Sequence, residues 1–245
     1  MGRVALIGAP IALVASALVL AGCVTDAGVN GSTPSGFAAS AATASTTPEP
    51  TAQELPDDVP IEAGEYVYSA IPGLRISFDV AAEGWLSWGP GVSKDGPTPP
   101  LLVGFGFAEV SGVYADPCRW RSGRIRDLGP SVEDLATALA GLPGLEVVTP
   151  PTAITAYGLA GTYLEMSVAN DIVIGDCDGG EFNSYIWTDG WPRYHQGPGQ
   201  IEQFWIFDVS GTRLVVNATH FPDSSATDLA ELDAILDSIE VVALE

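Results

Sequence analysis

Basic residues are scarce in this sequence, and it has a single lysine. Its 245 residues include nine lysines and arginines against 31 aspartates and glutamates, so the net charge is −22 at pH 7. Such a charge repels polyphosphate backbones and anionic lipid headgroups. The composition therefore excludes nucleic acid as a partner and argues against direct binding to an anionic membrane surface.

Signatures of catalysis are also missing. The sequence has two histidines and three cysteines. It contains no glycine-rich phosphate loop, dinucleotide fingerprint, zinc-binding pair or G-x-S-x-G nucleophile motif. We therefore expect no cofactor and no catalytic residues, and we interpret the protein as a non-enzyme.

One long apolar run is present, at the N-terminus. Arg3 is the only charge before apolar and small residues from Val4 to Ala21, which is the layout of a secretory signal. The run is just long enough to span a membrane, but Gly8 and Pro10 weaken a helix and no basic flank follows. We predict a signal peptide over residues 1–22 and an exported chain.

The end of this run, Leu20-Ala21-Gly22-Cys23, resembles the lipobox of bacterial lipoproteins, in which the peptide is cut before the cysteine. The resemblance implies that Cys23 carries a diacylglyceryl group and anchors the chain to the outer face of the cell membrane. Each methylene of an acyl chain that is buried in the bilayer contributes about 0.8 kcal/mol to the free energy of membrane binding. The preference for arginine over lysine, with abundant alanine and glycine, is typical of a GC-rich genome and suggests an actinobacterial source.

The composition changes near residue 60. Residues 23–60 are rich in Ser, Thr, Ala, Gly and Pro and lack the apolar side chains that would offset ordering entropy, so we predict a disordered tether. Residues 61–245 contain all the tryptophans and tyrosines. This length suits one globular domain with a substantial core.

Apolar and β-branched patterns predict strands in this domain, at 74–80, 101–110, 161–168 and 182–187. Two further apolar segments flank Ser210 and Gly211, a spacing typical of a two-residue hairpin. Ser131 and Asp134 predict the start of a helix that stops at Gly141.

A second helix is predicted near the C-terminus, within "SSATDLAELDAILDSIEVV". Its apolar stripe consists of Leu229, Leu232, Leu236 and Ile239. Stripes of this kind cover a sheet that has one apolar face. The predicted fold class is α+β, with one mainly antiparallel sheet covered by a few amphipathic helices.

The C-terminal order of strand, turn, strand ("FWIFDVSGTRLVVNATHFP") and acidic amphipathic helix is similar to that of PsbP-like proteins, the extrinsic proteins of photosystem II. The similarity covers about the last 45 residues. It implies an antiparallel sheet between helices. It also implies a binding or accessory role, because such folds carry no common active site.

Two cysteines remain besides Cys23. Export favours oxidation, so we expect Cys118 and Cys177 to form a disulfide. The alternative is a nucleophilic thiol assisted by His195 or His220, which the neighbouring aspartates disfavour because they oppose a thiolate.

The segment "DCDGGE" offers weak candidates for calcium ligands, because hard cations prefer clustered carboxylates. These are Asp176, Asp178 and Glu181. The segment lacks the further ligands of an EF-hand, and in so acidic a chain a solvated turn is the default interpretation.

Half of the basic residues that follow the signal peptide lie in one segment, "CRWRSGRIRD". The candidate ligand-binding residues here are Arg119, Trp120, Arg121, Arg124 and Arg126. Guanidinium groups suit carboxylates and phosphates. The favoured alternative is that these arginines pair with the domain's own surplus acids.

A second candidate patch comprises Trp191, Tyr194 and His195, close to Trp187, in a segment dense in glycine and proline. Exposed aromatic side chains on a loop suit sugars or a protein partner. The alternative interpretation, equally favoured, is that Trp187 ends a strand and belongs to the core, with Trp191 folded over the hairpin.

Together these features favour an exported, membrane-anchored lipoprotein whose domain binds an envelope protein or a small ligand without catalysis. An envelope-associated hydrolase and a passive structural domain remain alternatives. A hydrolase requires a cleft with converging titratable groups, whereas a binding module requires an exposed aromatic or arginine patch.

Overall fold

The computed structural model describes residues 52–95, 102–125 and 127–244. The predicted signal peptide, Cys23, most of the predicted tether and Arg126 lie outside these residues. No helix within the described ranges has the length and apolar character needed to cross a bilayer.

The domain is α+β, as the sequence predicts. Its strands are β1 (Gln53–Glu54), β2 (Pro60–Ile61), β3 (Gly64–Tyr68), β4 (Leu74–Val80), β5 (Trp85–Ser87), β6 (Gly91–Asp95), β7 (Leu102–Val113), β8 (Leu145–Ala156), β9 (Leu159–Val168), β10 (Phe182–Trp187), β11 (Pro192–His195), β12 (Ile201–Val209), β13 (Thr212–His220) and β14 (Glu240–Ala243). The helices are α1 (Val132–Ala140) and α2 (Ala226–Asp237), and a 3-10 segment spans Pro117–Ser122.

In the described residues the strands form two sheets. The smaller has the order β1-β3-β4-β14, with β1 and β3 parallel, and the larger runs β2-β5-β6-β7-β13-β12-β9-β8 with antiparallel neighbours. Strand β10 pairs with the far end of β7 and with β11. The β10–β11 hairpin is therefore attached to the larger sheet through the C-terminal end of strand β7.

Side chains from the two faces of the larger sheet form two hydrophobic clusters. The first joins it to the smaller sheet and to α2, and includes Phe78, Phe107 and Leu232. The second lies under α1 and β10, and includes Leu135, Leu164 and Phe204. The two helices thus lie on opposite faces of the central strands, the arrangement that the C-terminal resemblance implies.

The local signals for helix α1 and for the hairpin are confirmed. Ser131 and Asp134 form a reciprocal capping box, and Gly141 is the C-cap. Strands β12 and β13 pair from Val209↔Thr212 onward. Ser210 and Gly211 both have positive φ values, which the favoured two-residue hairpin turn requires.

Two predicted boundaries differ from the structure. Strand β1 and the first residue of β2 lie within the range 23–60 that the sequence assigns to the tether, and Leu55 packs against the core. The second helix ends at Asp237, and residues 240–243 form a strand against β4 instead of continuing the helix. β-branched Val241 and Val242 favour a strand once a sheet edge is available.

Candidate functional site

A cleft of about 750 Å³ lies between the central sheet and the β10–β11 hairpin. Its floor is the part of β7 and β13 where Gly104, Gly106, Asn217 and Thr219 lie side by side, because Asn217 pairs with Gly106 and Thr219 with Gly104. Glycine at two of these positions permits close packing, because a Cβ atom at Gly104 would meet strand β6 and one at Gly106 would meet the Trp88 ring. The volume is within the range of small-molecule sites.

Aromatic side chains form the walls of the cleft. Trp88 and Trp187 stack with ring centroids 5.7 Å apart, and both line the cleft. Gly106 permits this arrangement, since a Cβ atom there would lie 2.7 Å from the Trp88 ring. Trp191 and Tyr194, from the predicted aromatic patch, also line the cleft and are 69% and 54% exposed.

His195, predicted as part of the same ligand-binding patch, does not line the cleft. It ends strand β11 and is only 2% exposed, so its place as an accessible ligand-binding residue is a wrong prediction. Strand alternation is the reason, since Tyr194 points outward and its neighbour must then point inward. Its Nδ1 lies 3.2 Å from Glu202 Oε1 and its Nε2 lies 2.9 Å from Ser184 Oγ.

Glu202 is the centre of a buried polar network below the cleft. Its Oε1 atom accepts from Arg193 Nη2 at 2.7 Å, Gln200 Nε2 at 2.7 Å and Thr219 Oγ1 at 3.1 Å. Its Oε2 atom accepts from Asn217 Nδ2 at 2.8 Å. Every polar side chain of the network therefore has a partner, as burial of a carboxylate requires.

These contacts determine the charge states in the network. Burial alone raises the pKa of Glu202, but the charges of Arg193 and His195 and the hydrogen bonds outweigh it and lower the pKa to about 2. Burial lowers the pKa of His195, although Glu202 opposes this effect. At neutral pH the network consists of a glutamate, an arginine cation and a neutral histidine.

Tyr185 and Asn217 connect the network to the cleft. The Tyr185 hydroxyl donates to Asn217 Oδ1 at 3.2 Å, and Arg193 Nε donates to the same oxygen at 3.0 Å. Burial raises the pKa of Tyr185 to about 12, so its phenol remains protonated. The hairpin that carries the exposed aromatic side chains is thus held to the sheet by hydrogen bonds as well as by strand pairing.

Sequence reasoning missed Glu202, although a signal was present. In "IEQFWIFDV" the alternation places Glu202 on the same strand face as Phe204 and Ile206, both of which are fully buried. A carboxylate on an inward face requires a buried partner. The sequence does not reveal that the partner is Arg193, because the two residues meet only in the folded structure.

The disulfide between Cys118 and Cys177 is present. It joins the 3-10 segment Pro117–Ser122 to the loop before β10. Asp116 accepts from the backbone N–H groups of Cys118 and Arg119, which fixes the start of the 3-10 segment.

The arginine segment lies against this loop and does not line the cleft. Arg119 Nη1 donates to the Asp176 carbonyl at 2.9 Å and lies 3.7 Å from Asp178 Oδ1. Trp120 Nε1 donates to the Asp178 carbonyl at 2.6 Å, and the Arg121 guanidinium lies 4.9 Å from the centre of the Trp120 ring. Arg119 and Trp120 therefore bind the protein's own loop.

The other described residues of the segment and two of the weak calcium candidates also have contacts within these loops. Arg124 pairs with Tyr114 through a backbone β-bridge. Asp178 Oδ2 accepts from the Arg121 N–H, and Glu181 Oε2 accepts from Asn183 Nδ2. Within the described part of the chain, no three histidine, cysteine or acidic residues are grouped as metal ligands.

No protein-family model and no curated protein match this chain. It is similar to the crystal structure of LpqN, involved in cell envelope biogenesis of Mycobacterium tuberculosis, with 13% identity, 76% of this chain and 91% of that chain covered, and a TM-score of 0.34. It is also similar to the solution structure of cyanobacterial PsbP from Synechocystis sp. PCC 6803, with 14% identity, 74% and 94% covered, and a TM-score of 0.30. At these scores neither similarity carries an argument about function.

Proposed function

We propose that the protein is an exported lipoprotein, anchored through Cys23 to the outer face of the cell membrane, whose domain is a non-catalytic binding module of the cell envelope. The signal peptide and the lipobox-like sequence support the anchor. The cleft supports the binding role, and it takes a small ligand between the sheet and the β10–β11 hairpin.

The observation that carries this proposal is the exposed aromatic lining of the cleft. Large apolar side chains that remain accessible beside a concave surface mark binding sites, because a monomeric protein rarely exposes them together. Trp191 and Tyr194 are among the most exposed large side chains of the described residues. Strand β11 holds Tyr194, and hydrogen bonds of the Trp191 backbone with Trp187 and Asp189 hold Trp191, before any ligand arrives, which limits the entropy cost of binding.

A thermal-shift screen of envelope glycans, amines and metabolites against the full chain in detergent tests the binding role. A ligand at one hundred times its dissociation constant stabilises by about 2.7 kcal/mol, which raises the melting temperature by a few degrees. The shift should disappear in the Trp191→Ala/Tyr194→Ala variant and persist in Arg121→Ala, which lies outside the cleft lining. A ligand whose shift survives the first variant contradicts the proposed site.

One observation favours the hydrolase alternative. Ser184, His195 and Glu202 follow one another at 2.9 and 3.2 Å, which is the order of contacts in a catalytic triad. Against this alternative, Ser184 and Glu202 have no exposed surface, and Glu202 is occupied by Arg193. A nucleophile must reach its substrate, so we interpret the three residues as part of the buried network.

A fluorophosphonate probe separates the two functions, because it labels activated serines covalently. We expect no labelling of the full chain and no difference between the native protein and Ser184→Ala. Labelling that is lost in Ser184→Ala would establish the hydrolase and reject the non-catalytic module.

The anchor is tested in the producing cell. With labelled fatty acid, the native chain should incorporate label and partition into the detergent phase, whereas Cys23→Ser should do neither. Retention of label by Cys23→Ser contradicts the proposed lipidation.

A further inference from the structure

Carboxylates line the cleft beside the aromatic side chains. They are Asp57, Asp58, Asp95, Glu181 and Asp189. Among the described residues, none of the five forms a salt bridge, and four of them come from segments other than the hairpin that supplies Asp189. Their charges therefore lie around the cleft on several segments, without salt-bridge partners among the described residues.

The single basic residue of the lining offers no charge to a ligand. Arg193 donates through Nη2 to Glu202, through Nε to Asn217 Oδ1 and through Nη1 to the Tyr194 carbonyl at 2.6 Å. Its side chain is 13% exposed and its charge is balanced by Glu202. A cleft lined by one sign of charge with apolar walls concentrates counter-ions of the opposite sign.

The polar side chains of the floor are also occupied. Asn217 donates to Glu202 and to the Gln203 carbonyl, and Thr219 bonds to Gln200 and Glu202. The floor therefore offers few free polar side chains, and the Trp88 ring covers it at Gly106. This combination disfavours an anion and provides few fixed donors for a polyhydroxylated ligand.

We infer that the cleft selects an organic cation, namely an ammonium group that carries apolar substituents. The exposed ring of Trp191 and those surfaces of the stacked Trp88 and Trp187 rings that line the cleft attract the charge and cover the substituents, and the carboxylates at the cleft balance the charge. The inference rests on the proposed binding function and names the chemical class of the ligand. A cation–π contact of this kind changes affinity by roughly one order of magnitude.

Choline and its neutral isostere 3,3-dimethylbutan-1-ol provide the test, because they differ in charge and hardly in shape. Calorimetric titration of the full chain in detergent should show saturable choline binding, with the isostere at least about ten-fold weaker. Affinity for choline should fall as sodium chloride rises, since the carboxylates are exposed and salt screens their charge. Equal affinity for the two compounds overturns the inference.

Variants of the lining locate the effect. Asp57→Asn/Asp58→Asn and, separately, Trp191→Ala should each weaken choline binding several-fold. The matched controls Asp223→Asn and Arg121→Ala lie outside the lining and should leave it unchanged. Asparagine tolerates the positive φ of Asp58, so the double variant retains the local backbone.

A neutral disaccharide is the third ligand in the titration. If it binds in a Trp191-dependent manner while choline does not, the binding function stands and the cation inference fails. If choline, the disaccharide and the thermal-shift ligands all fail to bind, the proposed binding function and the cation inference both fail. If none of the lining variants changes the affinity for choline, the inference is overturned as well.

Discussion

At the scale of single residues, the carboxylate of Glu202 has the greatest consequence. Glu202 belongs to strand β12 and is 0% exposed, and its carboxylate contacts side chains of β11 and β13. With a proton on Nδ1 of His195, four side chains donate to its Oε1 atom, namely Arg193, His195, Gln200 and Thr219. Transfer of a charge into the interior is unfavourable unless it is paired and hydrogen-bonded. Glu202 therefore tolerates no change that leaves Arg193 without its partner.

Glu202→Gln should lower the free energy of unfolding by about 3–5 kcal/mol, because it leaves the Arg193 guanidinium buried and unpaired. Urea denaturation measures the change. Glu146→Gln is the matched control, since Glu146 is exposed on strand β8, and its effect should remain within about 0.5 kcal/mol. A Glu202→Gln variant as stable as this control contradicts the network.

Acid should destabilise the protein through the same residues. The pKa of His195 is lowered in the folded state, so the unfolded chain binds its proton first as the pH falls below about 6.5. The pKa of Glu202 is lowered to about 2, so its contribution is complete above its ordinary value of 4.5 and is lost as the pH falls towards 2.

Denaturation series at several pH values should therefore show stability falling from neutral pH into acid. The decline between pH 4.5 and 2 should be shallower in Glu202→Gln than in Glu146→Gln, because only the former lacks the buried carboxyl. Parallel profiles for the two variants would show that Glu202 does not titrate abnormally.

At the scale of elements, the disulfide holds together two segments that have little regular structure. Cys118 and Cys177 are 59 residues apart, and around them only short 3-10 turns and side-chain contacts such as Trp120 to Asp178 join the loops. A crosslink restricts the unfolded chain more strongly as the enclosed loop grows. The bond also fixes the segment that leads into β10 and thus into the cleft hairpin.

Cys118→Ser/Cys177→Ser should lower the free energy of unfolding by roughly 4 kcal/mol according to the chain-entropy relation. Urea denaturation with and without reductant measures it. Reductant should destabilise the native chain and Cys23→Ser alike, and it should leave the double variant unchanged. A loss below about 1 kcal/mol would mean that the loops are held without the bond.

At the scale of the whole molecule, the N-terminal boundary of the domain determines both its stability and its cleft. Strand β1 pairs with β3, the Leu55 N–H donates to the Val67 carbonyl at 2.7 Å, and Asp57 and Asp58 line the cleft. Strand β1, Leu55, Asp57 and Asp58 all lie before residue 61. A chain cut at the composition change therefore loses part of its smaller sheet and part of its candidate site.

A chain beginning at Ile61 should be less stable than one beginning at Pro48 by about 2 kcal/mol, from lost apolar burial and hydrogen bonds. Thermal and urea unfolding of the two chains provide the comparison. Leu55→Ala in the longer chain should reproduce part of the loss. Equal stability of the two chains would show that β1 and Leu55 contribute nothing.

Much of the fold follows from local signals in the sequence. The capping box at Ser131, the Ser210-Gly211 turn and the alternation in 74–80 are each properties of a few neighbouring residues, and each is found in the structure. The helix and strand around Asp237 are harder, because helical and extended patterns overlap there and the free edge of β4 decides between them.

The sequence by itself determined the acidic charge, the fold class and the expectation that two cysteines of an exported chain pair. Only the tertiary structure decided which aromatic side chains are accessible, since Tyr194 and His195 are neighbours that point in opposite directions. It also decided that Arg193 neutralises Glu202 and that carboxylates from distant segments meet at one cleft. The cleft carboxylates are far apart in sequence, and Arg193 and Glu202, although nine residues apart, lie on different strands. No local pattern encodes these contacts, because the chain geometry alone brings them together.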